Sequence, residues 1–246
     1  MYRRTFLSCM LGVALSAIGV GEIGAQEPAY TVAQAYALHR DPNGIEGTVQ
    51  LLIDKRLTGA VQDELWGKGD WSFVFPPGSK LHDEFAANPP HKAKLRIAGG
   101  NGKTITERDL ETPLAKLKAW NAASIPHETF LLSQDYSAGI GSYNGPVTTL
   151  LKVSDSGFHD IEALNAGSQQ KQTIRLMKSL KSDWQARDRG NGGEILSVSC
   201  KPGKDGSFVI EYIRYSLDKG QWLAYKREAP GIWESDEPFP DRSEFP

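Results

Sequence analysis

Hydrophobic positions in this chain recur with different spacings in different segments. A largely apolar stretch runs from Phe6 to Val20. Between Ala29 and His39, Val32, Ala35, Tyr36 and Leu38 fall at helical intervals, and Asp41-Pro-Asn-Gly44 breaks the pattern. From Gly47 to Trp66, Val49, Leu52, Ile53, Leu57, Val61 and Leu65 continue at helical spacing. Trp71–Phe75 reads as a strand stopped by Pro76-Pro77-Gly78, and Ala93–Ala98 alternates like one. Gly99-Gly-Asn-Gly102 leads into Lys103–Thr106, the spacing of a hairpin. Leu114, Leu117 and Trp120 predict a short helix, with an extended reading open. Asn121–Pro126 is a candidate seam between two halves.

Beyond that seam the rhythm is mainly that of strands: Phe130–Ser133, Val147–Val153, His159–Leu164, Glu194–Cys200, Ser207–Tyr215 and Gln221–Arg227. The last three are separated by Lys201–Gly206 and Asp218-Lys-Gly220, which suit antiparallel hairpins. Residues 171–185 fit either period; a strand or loose turn entering a short helix that ends near Trp184 is expected. The pattern predicts an α+β fold, predominantly antiparallel β-sheet, with helices mainly in the first half and one domain over residues 26–246.

The first 25 residues have the three parts of an export signal: Arg3-Arg4, the apolar stretch, and Ile23-Gly24-Ala25 before a polar segment. The stretch is shorter than the roughly 20 residues of a membrane span. Arg3-Arg4-Thr5-Phe6-Leu7 resembles the start of a twin-arginine export signal. That resemblance implies a cargo that crosses already folded. Cleavage after Ala25 would leave a periplasmic or secreted protein that does not span the membrane. Its single cysteine, Cys200, is expected to be a buried strand residue.

Composition narrows the function classes. The 246 residues carry 28 Lys and Arg against 30 Asp and Glu, a formal charge of −2. A nucleic-acid partner normally meets a basic excess, so none is expected. Hydrophobic residues make up 39%, which fits a soluble globular chain.

Familiar chemical motifs fail on single residues. Gly102-Lys103-Thr104 resembles the end of a phosphate-binding loop, but Ile97 stands where its first glycine is required. A calcium loop aligned on Gly44 would place His39 and Gln50 at its ends, where carboxylates are needed. Ser142 lacks the glycine of a nucleophile elbow, because Ile140 precedes it by two. Ser168–Lys171 and Ser216–Lys219 match a Ser-x-x-Lys spacing without its partner motifs. The five histidines show no zinc-type spacing, so neither metal nor cofactor is expected.

Two features remain. Around Asp135–Gly145, glycines accompany Tyr136, Tyr143 and Asn144, the composition of a binding loop or a glycine-rich hairpin. The aromatic series Phe208, Tyr212, Tyr215, Trp222, Tyr225 and Trp233 puts apolar residues on both strand faces, as in a strand packed on two sides. The leading expectation is a cofactor-free binding or accessory module for an unidentified envelope ligand or protein, using Tyr136, Tyr143 and Asn144. The rival is a hydrolase of cell-wall or glycan material that pairs His127 or His159 with Asp135. An inhibitor or immunity-type protein is a third reading.

Overall fold

The computed structural model describes residues 29–38, 47–68, 71–120, 125, 128–137, 141–154, 156–188 and 193–246. The export segment, His39, Asp41–Gly44, His127 and most of the seam at 121–126 therefore lie outside the described residues. Strands dominate, and all pairings but one are antiparallel among the described residues.

Three sheets are stacked as layers. The first has the order β1 (Tyr30–Leu38), β2 (Gly47–Asp54), β3 (Lys94–Gly99), β4 (Thr104–Asp109). The central sheet runs β11 (Arg175–Met177), β7 (Pro146–Ser154), β6 (Thr129–Asp135), β5 (Ala115–Ala119), with β8 (Gly157–Asp160) also on β7. The third has β10 (Lys171–Thr173), β9 (Glu162–Asn165), β15 (Gln221–Pro230), β14 (Phe208–Asp218), β13 (Gly193–Pro202) and β12 (Ser182–Asp188) in that order. β15 and β9 form the parallel pair.

The central sheet is apolar on both faces because it is covered on both. Phe130 and Leu132, with Leu151 opposite Phe130, pack against Val49, Leu51 and Leu95 of the first sheet. Leu131 and its partner Leu150 point the other way, toward Ile195, Tyr215 and Trp222 of the third. A strand covered on two sides loses the polar–apolar alternation of a half-exposed one. The outer face of the third sheet is closed by the last residues of the chain. Trp233 and Phe245 bury themselves on Leu196, Val198 and Tyr212, and the Arg242 guanidinium grips Glu194, which is 1% exposed, at 3.0 Å. Of the aromatic series, Tyr215 and Trp222 enter the inner core and Tyr212 and Trp233 the outer one, whereas Phe208 is 37% exposed and Tyr225 lies against the Arg214 guanidinium.

Between β2 and β3 lie α1 (Ala60–Leu65), α2 (Trp71–Val74) and α3 (Lys80–Ala87). Ser79 caps α3 by accepting from the His82 N–H. Phe85 enters the first core at 0% exposure beside Trp71 and Phe75.

Four local expectations are corrected. The described part of the segment expected as a helix over 29–39 holds β1 instead. After a bulge at Val32–Gln34 the strand turns Gln34, Tyr36 and Leu38 inward, and its outward residues are alanines that mask the contrast. Residues 47–66 hold β2, a 3-10 turn (Lys55–Leu57) and α1 instead of one helix; the end of β2 is buried on both faces, so its apolar residues do not alternate. Trp71–Phe75 contains α2, not a strand. Residues 171–185 hold β10, β11 and the start of β12, and no helix reaches Trp184. At 113–120 the extended reading is the one observed, as β5. The Gly99–Lys103 turn closes a hairpin, with the Gly99 N–H donating to the Lys103 carbonyl at 2.9 Å. Cys200 is 1% exposed. No helix among the described residues is long and apolar enough to cross a membrane.

β5 is the edge of the central sheet, and its outward backbone groups are occupied by side chains. Gln34 donates to the Leu117 carbonyl at 2.7 Å and accepts from the Leu117 N–H at 2.6 Å. The Tyr36 hydroxyl donates to the same carbonyl at 2.8 Å. Gln62 donates to the Ala115 carbonyl at 2.9 Å. These amides satisfy groups that would otherwise accept another strand.

Candidate functional site

The described residues of the β6–β7 connection, 136–137 and 141–145, line concave regions on two sides. The connection starts at Asp135, whose register partner is Pro146. The Asp135 carboxylate is 7% exposed and fully engaged: it accepts from the Gly67 N–H at 2.6 Å and from the backbone and hydroxyl of Ser137. It ties the loop to the end of α1. Gly145 is seated so closely on the next segment that a Cβ there would lie 1.8 Å from the Lys178 carbonyl oxygen, so only glycine fits.

On one side is a cavity of about 430 Å³. Its floor is Leu57, Leu65 and Leu114, and its sides include Trp71, Pro89 and Tyr136. Burial, together with a hydrogen bond to the Glu111 carboxylate and its charge, pushes the Tyr136 hydroxyl up to about 12 despite Arg175 and Arg108. Tyr136 therefore stays protonated and donates. An apolar cavity with few convergent polar groups has the usual character of a small-molecule site.

The Pro89 wall is held from below by a buried clip. Asp54, 1% exposed, accepts from Arg56 Nε at 2.9 Å, from the Arg56 N–H at 3.0 Å and from the His91 N–H at 3.0 Å. Burial alone would raise its pKa. The hydrogen bonds from Arg56 and His91 and the Arg56 charge outweigh that and bring it down to about 2. Arg56 in turn donates to the carbonyls of Asn88 and Pro89.

On the other side of the connection, cavities of about 750 and 570 Å³ adjoin at Gly67, Pro146 and Lys178. The first includes Ser142 and Asn144. The second lies over Leu131, Ser133 and Thr148 of the central sheet, between Trp66 and Trp184.

The sequence-predicted site residues are thus distributed. Tyr136 lines the apolar cavity and Asn144 the groove, while Tyr143 is 42% exposed and lines neither. His159 is exposed on β8, with Nε2 2.8 Å from Ser156 Oγ. It faces Lys152, whereas Asp135 faces Pro146. Six residues along β7 separate the two by about 20 Å. Asp135 and His159 therefore form no acid–base pair, and His127 lies outside the described residues. Sequence reasoning missed Trp71, Glu111, Trp66, Lys178 and Trp184. Two tryptophans five positions apart, Trp66 and Trp71, were the available signal.

Comparison with protein-family models, with curated proteins and with solved structures finds no match to this chain.

Proposed function

We propose that this chain is an exported binding module that captures an envelope ligand in the cavity beside Tyr136, without a cofactor. In this reading residues 1–25 direct it across a membrane and are removed, and the mature α+β domain, with its helices gathered in the first half, works in the periplasm or outside the cell. The carrying observation is the cavity itself: leucines below, Trp71 and Tyr136 at the sides, and the Glu111 carboxylate holding the tyrosine hydroxyl. Such a site suits a ligand with a flat apolar part and a group able to bond a carboxylate or a phenol.

Two measurements test it. Protein recovered from the periplasmic fraction should begin at Gln26. Immobilised mature protein should retain a molecule from envelope extract that mass spectrometry identifies, and Tyr136→Ala should lose most of it with the fold intact. An uncleaved amino terminus on cytoplasmic protein, or equal retention by the variant, would refute the corresponding half.

A further inference from the structure

The groove bordered by residues 141–146 has a different chemistry from the Tyr136 cavity. Lys68, Lys116, Lys118 and Lys178 stand along it, with the indoles of Trp66 and Trp184. Lys116 Nζ lies 4.4 Å from the Trp66 ring centroid and 3.4 Å from Asp63. Lys178 Nζ lies 5.6 Å from the Trp184 ring centroid and 2.7 Å from Asp183. Among the described residues Lys68 and Lys118 have no ion partner, and the one remaining carboxylate of the lining, Glu64, has none either. The floor carries hydroxyls, with Ser133 Oγ and Thr148 Oγ1 2.7 Å apart. Trp184 Nε1 is buried and meets no hydrogen-bond acceptor among the described residues. A buried donor left without a partner is costly.

We propose that this groove binds an acidic polysaccharide. Sugar carboxylates meet the lysine ammonium groups, the hydroxyls meet Ser133, Thr148 and Asn144, and the apolar ring faces pack on the indoles. An acidic peptide fits less well. A bound peptide beside a sheet gains its main-chain bonds from a free edge, and Gln34, Tyr36 and Gln62 already occupy that of β5. An acyl chain fits less well because a hydrocarbon offers nothing to the lysines that border the groove. The groove shares Asn144 with the predicted binding loop, but its argument stands on lysines and indoles. Its failure would leave the Tyr136 reading intact.

The test titrates the full mature chain with oligogalacturonate and with the same oligomer fully methyl-esterified, by calorimetry at two salt concentrations. Oligogalacturonate should bind, more weakly at high salt, and the ester at least about tenfold more weakly, since screening and loss of charge act on the same contacts. Lys68→Gln with Lys118→Gln should weaken binding about tenfold. Lys171→Gln with Lys204→Gln, which removes the same charge at exposed sites elsewhere, should not. Trp184→Phe should weaken it a few-fold. Thermal melts of the lysine variants, which touch only exposed side chains, should match that of the parent. Absence of binding, equal binding of the ester, an unaffected Lys68/Lys118 variant, or equal affinity for polyglutamate or anionic vesicles would each overturn the assignment.

Discussion

Replacing Asp54 by Asn tests whether the buried clip under the Pro89 wall is electrostatic. The carboxylate is lowered from an ordinary 3.8 to about 2 in the folded chain. An unfolded state that binds protons more readily than the folded one loses ground as pH rises. The clip's contribution is therefore fully present above about pH 4 and is lost as pH falls through about 2. At 1.36 kcal/mol per pK unit the difference amounts to about 2 kcal/mol at pH 7 and under about 1 kcal/mol at pH 2.5. Asn keeps the size of the side chain but not the charge opposite Arg56, so Asp54→Asn should cost about 2–4 kcal/mol at pH 7. Urea unfolding of both proteins at pH 7 and pH 2.5 measures the gap, which should shrink by about 1.5 kcal/mol at the lower pH. A gap that is the same at both values would show that shape rather than charge holds the segment, and would refute the argument.

Two further outcomes follow from the packing. Removing residues 231–246 uncovers Leu196, Val198 and Tyr212 and strips Arg242 from the buried Glu194. The loss should be roughly 5 kcal/mol or more, seen as a large drop in melting temperature with uptake of a hydrophobic dye; an unchanged melt would contradict the role given to the tail. Gly145→Ala forces the loop off the Lys178 carbonyl, at a cost of about 1–3 kcal/mol by thermal melt. A melting temperature within a degree of the parent would show that the contact yields freely.

Apart from residues 171–185, where β10, β11 and the start of β12 stand in place of the expected helix, the second half of the fold was the legible half. β13, β14 and β15 are long and are joined by compact turns such as Asp218–Gly220, so each strand carries several clear alternations. The first half misled for physical reasons. Alanines outside β1 removed its contrast, β2 passes from one-sided to two-sided burial within its length, and α2 is too short to show a period. The site was legible only in part. Tyr136 stood out because it lies among glycines, whereas Glu111 and Lys178 come from distant segments and meet the loop only because the central sheet sets them beside β6 and β7. No local spacing announces such a meeting.

The side-chain guard along β5 also has a bearing on assembly. Gln34 and Tyr36 belong to the earliest described strand, yet the backbone they protect lies some eighty positions later, with separations of 83 and 81 residues. Until the amino-terminal strand docks, a newly made chain presents a bare ribbon to its neighbours. Mutations that delay that docking should therefore show themselves first as clumping at high expression, well before any loss in the stability of molecules that have finished folding.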